Sequence, residues 1–128
     1  MSKEFIPYEQ ALELKELGFD EPCMCIYDKD GKLERSLIEY PIINSKNGFH
    51  EKWNIITAPL KQQVFRWFRE KHGLQFWIEP SFKSEYQTDG YVYYVKNNGS
   101  YSIDYATYEE AEDACINKLI EIVKGGKQ

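Results

Sequence analysis

The fold is decided by the stretch YVYYVKNNGSYSIDYATYEEAEDACINKLIEI, residues 91–122. Aromatic and β-branched residues at Tyr91–Lys96 predict a strand, and the turn residues Asn97-Asn98-Gly99 lead to another strand at Tyr101–Tyr105. The apolar spacing then changes from two residues to three and four, which is typical of a helix. Strands joined by a tight turn and followed by a helix indicate the α+β class with an antiparallel sheet.

The helix after this hairpin has a marked beginning. Thr107 is followed three residues later by Glu110, the pattern of a capping box, and the helix is predicted to run to about Lys124. Its buried stripe is predicted from apolar residues at helical spacing: Ala111, Cys115, Leu119 and Ile122, widened by Ile116 and Val123.

A helix and a strand are predicted before the hairpin. Leu74–Glu79 alternates as a strand does, and Pro80 is predicted to end it. The preceding helix is predicted to end at Gly73, with Thr57 as its N-cap and Pro59 in its first turn. Its apolar stripe is predicted from Leu60, Val64, Trp67 and Phe68, with Phe65 on the flank.

The first third of the chain is predicted to hold a helix and a hairpin. The helix begins at Pro7, and Gly18 with Phe19 predicts a Schellman cap. Strands are predicted at Cys23–Asp28 and Lys32–Tyr40 with a turn between them, followed by a loop at Pro41–Asn54. The prediction is one α+β domain over 1–124, ordered α-β-β-α-β-β-β-α, with helices on one face of a mostly antiparallel sheet and a disordered tail at 125–128.

Composition excludes several classes of protein. The chain has 128 residues, the size of one domain, and its net charge of −5 disfavours binding to duplex nucleic acid. No apolar run approaches the roughly 20 residues that span a bilayer, so no membrane association is expected. Three cysteines form an odd set, and Cys23 and Cys25 share a strand face where a bridge would be strained. Free thiols in a reducing cytoplasm are therefore predicted.

Three segments carry a resemblance to a known group of proteins. They are FIPYEQALELKELGFDEPC (5–23), APLKQQVFRWFREKHGL (58–74) and TYEEAEDACINKLIEI (107–122), which together cover the three predicted helices. The chain resembles short uncharacterised proteins carried by phages and prophages of gut anaerobic bacteria. The resemblance implies a small accessory protein of a mobile element that acts in the bacterial cytoplasm, and it brings no assigned activity, cofactor or site residue.

The tyrosines of the C-terminal sheet are the first candidate site. Tyr91 and Tyr93 share one face of their strand, and Tyr94 lies on the other face with Val92. Aromatic rings on both faces favour either a stacking platform for planar ligands or an interface with a partner or a second copy. The alternative is that the tyrosines only build the core. Tyr91, Tyr93 and Tyr94 are predicted ligand-binding residues, and a homo-oligomer is expected.

The second candidate is a pair of arginines one helical turn apart. Arg66 and Arg69 lie opposite the predicted apolar stripe, beside Gln62 and Gln63. Two guanidinium groups so spaced can bind a phosphate or carboxylate, and the amides add hydrogen bonds. Arg66, Arg69 and Gln62 are therefore predicted to bind a small anionic ligand, although a solvated helix face would have the same pattern.

Signs of metal or catalytic chemistry are weak in this sequence. Cys23, Cys25, His50 and His72 lack the usual spacings of zinc ligands, so no metal and no cofactor are predicted. The chain has no phosphate-binding glycine loop, nucleophile elbow or HExxH motif, which favours a non-enzymatic protein. The prediction is an accessory protein that binds a host protein or sequesters a nucleotide-like ligand. The alternatives are a single-stranded nucleic-acid binder and an enzyme of unrecognised class.

Overall fold

The computed structural model describes residues 2–35, 55–84, 87–97 and 99–126. After a short 3-10 turn at Ser2–Glu4, the elements in order are α1 (Tyr8–Glu16), β1 (Cys25–Tyr27), β2 (Leu33–Arg35), β3 (Ile56–Thr57), α2 (Lys61–His72), β4 (Phe76–Ser84), β5 (Gln87–Val95), β6 (Ser100–Tyr101) and α3 (Tyr108–Lys124). The α+β class, the antiparallel sheets and the order of helices and strands are confirmed, with the two-residue β3 added before α2.

The chain divides into two compact units, Met1–Val64 and Phe65–Gln128, here called unit 1 and unit 2. The single domain over 1–124 and the disordered tail stay predictions, and residues 127 and 128 lie outside the described ranges. So do the predicted loop Pro41–Asn54 and the end of the predicted strand Lys32–Tyr40, from residue 36 on.

Unit 1 contains α1 and a sheet in the order β2-β1-β3. The predicted Schellman cap closes α1: Gly18, at φ +93°, donates its N–H to the Lys15 carbonyl at 3.1 Å, and Phe19 donates to Leu14 at 2.9 Å. The side chains of Leu14 and Phe19 are both buried. Local chemistry within six residues therefore fixes the end of this helix.

The hairpin of unit 1 follows the predicted turn. Asp28 accepts the Gly31 N–H on its carbonyl, and its carboxylate accepts the N–H groups of Asp30 and Lys32 at 2.9 and 3.0 Å. These backbone hydrogen bonds, the one from Lys32 first, lower the pKa of Asp28. The turn thus sets the antiparallel register in which Tyr27 faces Leu33.

The beginning of α2 differs from the prediction. Thr57 is not the N-cap, because it pairs with Ile26 in β3 and the helix begins at Lys61. Pro59 precedes the helix and accepts the Ile6 N–H on its carbonyl. Leu60 is 43% exposed rather than part of the buried stripe, and a β-bridge joins it to Phe5. Long-range pairing of residues 56–60 therefore overrides the capping pattern.

The remainder of the α2 stripe is buried as predicted. Val64, Trp67 and Phe68 have no more than 3% of their surface exposed, and Phe65, predicted to lie on the flank, is equally buried. In unit 2 the centroids of the Phe65 and Phe76 rings lie 5.1 Å apart, and Phe76 is the first residue of β4. The buried face of α2 is thus wider than the sequence indicated.

Unit 2 contains a sheet in the order β4-β5-β6 with α3 packed on one face. Phe76, Ile78 and Pro80 pair with Val95, Tyr93 and Tyr91, so these residues share a face. The Tyr91 ring meets Tyr108 of α3 edge-on at 5.6 Å, which identifies this face as the one that the helix covers. We call it the covered face and its opposite the open face.

The predicted capping box begins α3. The Glu110 N–H donates to the Thr107 hydroxyl and the Thr107 N–H donates to the Glu110 carboxylate, each at 3.1 Å. Ile122 is only half-buried and Ile120 is buried instead, so the prediction was wrong at that position. The buried residues of the predicted stripe are Ala111, Cys115, Ile116 and Leu119.

The predicted end of β4 was wrong. Pro80 does not end the strand, which continues to Ser84. Pro80 faces Tyr91. Tyr91 donates its N–H to the Tyr105 carbonyl and accepts the Tyr105 N–H on its own carbonyl, each at 2.8 Å. The Pro80 nitrogen therefore points out of the sheet edge, where a missing N–H breaks no ladder bond.

The third strand of unit 2 is shorter than predicted. Tyr101–Tyr105 was predicted as one strand, but β6 ends at Tyr101 and pairing resumes only at a bridge between Tyr105 and Tyr91. Three residue steps separate Tyr91 from Tyr94, whereas four separate Tyr101 from Tyr105, so the extra residue forms a bulge. Gly90 precedes this bridge at φ +131°, where a Cβ would overlap the Tyr105 carbonyl oxygen.

All three cysteines are free and buried, in agreement with the predicted thiols. Burial raises the pKa of Cys23 and of Cys115 to about 12, so that both remain neutral at ordinary pH. A neutral thiol is a poor nucleophile because the thiolate is the reactive form.

We expect iodoacetamide at pH 8 to alkylate native Cys23 and Cys115 at least roughly 100-fold more slowly than a free cysteine, because both burial and low thiolate content oppose the reaction. After denaturation without reductant, mass spectrometry should count three modified thiols. Rapid alkylation of native Cys115, or a disulfide recovered from denatured protein, would contradict this expectation.

Candidate binding surface

Three aromatic side chains form a continuous row across the open face of unit 2. Trp77 of β4 pairs with Tyr94 of β5, which pairs with Tyr101 of β6, so the three residues share one register position and one face. The Trp77 and Tyr94 rings are stacked at 4.5 Å between centroids, and those of Tyr94 and Tyr101 are tilted at 4.8 Å. We call these residues the aromatic row.

The aromatic row is accessible at both ends. Trp77 is 44% exposed and Tyr101 is 56% exposed, whereas Tyr94 between them is half-buried. Ile103, in the bulged segment after β6, is 74% exposed. Trp77 and Tyr101 are exposed on the same sheet face, and large aromatic side chains grouped in this way are typical of an interaction surface rather than of ordinary solvated surface.

Polar residues flank the aromatic row on both sides along the strands. On one side Glu79 pairs with Val92, and its carboxylate accepts the Trp77 indole N–H at 2.7 Å, which fixes the indole ring. On the other side the Lys96 N–H donates to the Gln75 carbonyl at 2.8 Å, and both side chains are exposed. Val92 itself is only 9% exposed, so Glu79 alone makes that side negative. The open face therefore has a positive flank, an aromatic centre and a negative flank.

Ring packing determines what the aromatic row can contact. Neighbouring strands lie roughly 4.8 Å apart, so side chains that stand upright on adjacent strands place their rings against each other. Tyr94 has a ring neighbour on each side, and Trp77 and Tyr101 each have one within the row. The row thus presents mainly ring edges and hydroxyl groups, with one ring face left at each end.

The predicted tyrosines are placed on opposite faces. Tyr94 lies in the aromatic row, whereas Tyr91 and Tyr93 lie on the covered face beside α3. The Tyr93 and Tyr105 rings are stacked with their centroids 6.3 Å apart. Burial raises the pKa of Tyr93, and the electrostatic effect of Tyr105 adds to it. The structure therefore separates Tyr94 from the other two tyrosines of the predicted site.

The predicted arginines lie on α2 and are exposed. The Arg69 guanidinium lies 5.8 Å from the centroid of the Phe76 ring, and Phe76 belongs to the covered face. Arg66 is one turn earlier on the helix. Arg69 and the aromatic row are thus associated with opposite faces of the sheet, and a small ligand cannot contact both.

The predicted amides fall within unit 1. Gln62 is exposed. Gln63 was expected on the solvent face, but it is half-buried and donates to the Glu21 carboxylate at 3.1 Å and to the Pro22 carbonyl at 3.0 Å. Gln63 therefore joins the start of α2 to the segment before β1 and is not available to a ligand.

Sequence reasoning missed Trp77 and Tyr101 as site residues. The alternation of Leu74–Glu79 puts Trp77 on one face with the polar Gln75 and Glu79, and Tyr101 was named only as the start of a predicted strand. The available signal was the alternation around Trp77, which separates it from Phe76 and Ile78. The alignment of three strands at one register position is a tertiary property that this alternation does not specify.

Within residues 2–35, 55–84, 87–97 and 99–126, no group of three or more His, Cys, Asp and Glu side chains could hold a metal ion. Among the helices described, none is both long and apolar enough to cross a membrane.

Comparison with protein-family models, with curated proteins and with solved structures found no match. The interpretation of the site therefore depends on its geometry and chemistry.

Proposed function

We propose that this protein is a non-enzymatic accessory protein of a phage or related mobile element, and that it acts by binding a protein surface through the open face of unit 2. The observation that carries the proposal is the aromatic row of Trp77, Tyr94 and Tyr101, accessible on a face that α3 does not cover. The family resemblance of the three helical segments supports the mobile-element context.

Ring geometry favours a protein partner over a stacked planar ligand. Bases bind to aromatic platforms through open ring faces, and in the row these faces are largely occupied by neighbouring rings. Ring edges with hydroxyl groups suit a protein surface, where tyrosine and tryptophan supply apolar area and a hydrogen-bonding group together. The Trp77 indole, whose N–H donates to the Glu79 carboxylate, is an anchor of this kind.

Single-stranded nucleic acid is the second candidate ligand. The outer ring faces of Trp77 and Tyr101 are available for stacking, and Lys96 on the flank can meet a phosphate group. A small nucleotide-like ligand that also uses Arg69 is disfavoured, because that arginine lies over a residue of the covered face.

We expect the double variant Trp77→Ser with Tyr101→Ser to lose protein binding, because it removes the exposed rings from both ends of the aromatic row. The measurement is capture by immobilised protein, scored for host proteins and for a co-expressed untagged copy of the chain. The matched control is Leu12→Ser, which changes a 40% exposed side chain of unit 1 and should leave capture unchanged.

Fluorescence anisotropy with single-stranded DNA separates the two candidates. We expect no binding at low salt. Binding that falls steeply as salt increases, and that the double variant abolishes, would establish the nucleic-acid candidate in place of the protein one.

A further inference from the structure

We propose that the partner of the open face is the same face of a second copy, related by a two-fold axis that lies along the aromatic row. This inference rests on the proposed function, because it names the protein surface that the row contacts. In such a pair each ring of the row meets its own counterpart, and the strands of the two sheets run in opposite directions.

The charges of the open face make it self-complementary in this arrangement. Rotation about the aromatic row exchanges the two flanks, so the Lys96 and Gln75 side of one copy lies over the Glu79 and Val92 side of the other. Gln75 then faces the carboxylate of Glu79 directly, and Lys96 reaches it from the neighbouring strand, roughly 4.8 Å away. Each two-fold pair contains this contact twice.

The same charges disfavour the other face-to-face arrangement. A two-fold axis along the strands would lay the central strand β5 on its own counterpart without exchanging the flanks. Lys96 would then oppose a second Lys96 at the interface, which is unfavourable. Charge therefore selects one of the two axes.

Pairing through the sheet edges is also disfavoured. At the β4 edge the Pro80 nitrogen points outward and offers no N–H to an added strand. At the other edge β6 has two residues and is followed by the bulge. Of the surfaces of this sheet, the open face is the one that remains for a second copy.

The first test is the mass in solution together with a charge reversal. We expect the wild-type chain, 15.2 kDa, to give a dimer by light scattering at high micromolar concentration. Lys96→Glu should raise the dissociation constant at least roughly tenfold, because it places two carboxylates together at both contacts. The matched control is Lys71→Glu, an exposed lysine of α2, which changes the net charge equally and should leave the dissociation constant unchanged.

The second test determines the axis by cross-linking. Packed sheets lie about 10 Å apart, so Tyr101→Cys should be linked to its counterpart by a short bismaleimide. With the axis along the row, two Lys96→Cys thiols are separated by a further ~14 Å along the strands and should not be linked. The native cysteines are buried and do not compete. Faster linking of Lys96→Cys than of Tyr101→Cys would overturn the proposed axis.

The outcomes distinguish this inference from the proposed function. A monomer at high micromolar concentration would overturn self-pairing. If the double variant Trp77→Ser with Tyr101→Ser still lost capture of a host protein, the proposed function would stand without self-pairing. A dimer that neither Lys96→Glu nor the double variant weakens would overturn self-pairing through this face.

Discussion

Replacement of Gly90 by alanine is expected to destabilise the protein by about 3–5 kcal/mol. The backbone at Gly90 has φ +131°, which side chains rarely adopt, and the new Cβ would overlap the Tyr105 carbonyl oxygen. That oxygen accepts the Tyr91 N–H, so relief of the overlap must break the bridge that resumes pairing after the bulge. The free energy of unfolding is measured by urea denaturation followed by circular dichroism.

Gly99→Ala is the matched control for this effect. Gly99 also has a positive φ, +73°, but no atom lies within 4 Å of the position that a Cβ would occupy. It should cost only the ~1–2 kcal/mol of a left-handed residue with a side chain. Equal losses for Gly90→Ala and Gly99→Ala would mean that backbone conformation alone is responsible and that the close approach to Tyr105 is not.

Replacement of Cys115 by aspartate is expected to lower the free energy of unfolding by about 3–5 kcal/mol. Cys115 is fully buried in α3, on the side that packs against the sheet of unit 2. A carboxylate there loses its hydration, and a neutral carboxylic acid would still need hydrogen-bond partners among apolar neighbours such as Ile116 and Leu119. Thermal melting and urea denaturation should both show the loss.

Asn117→Asp adds the same charge to an exposed position two residues later and controls for the charge of the helix. We expect a loss well below that of Cys115→Asp, because a carboxylate at this exposed position keeps its hydration. A melting temperature unaltered by Cys115→Asp would refute the assignment of this α3 face to the core.

Local interactions are the part of this structure that the sequence predicts well. The Schellman cap at Gly18, the turn at Asp28 and the capping box at Thr107 are each formed where the residue pattern indicates. Each involves residues no more than six positions apart, so neighbouring side chains and backbone groups determine the conformation without help from the rest of the chain. The helical stripes of α2 and α3 follow for a related reason, since helical spacing alone places their apolar residues on one side.

Patterns that depend on distant partners were predicted less well. Thr57 has the chemistry of an N-cap, but pairing with Ile26 places it in a strand. Pro80 has the chemistry of a strand end, but its position at a sheet edge lets β4 continue. In both cases a contact more than ten residues away along the chain outweighs a local preference worth about 1 kcal/mol or less.

The candidate site shows the same division. The sequence by itself determined that successive side chains of β5 alternate between its faces and that both faces would carry aromatic residues. Only the tertiary structure decided that α3 covers the face of Tyr91 and Tyr93, and that Trp77, Tyr94 and Tyr101 align on the other. Alternation fixes which residues share a face of one strand, because it follows from backbone geometry. Which face is covered, and which residues meet across strands, depends on register and packing between segments far apart in the chain.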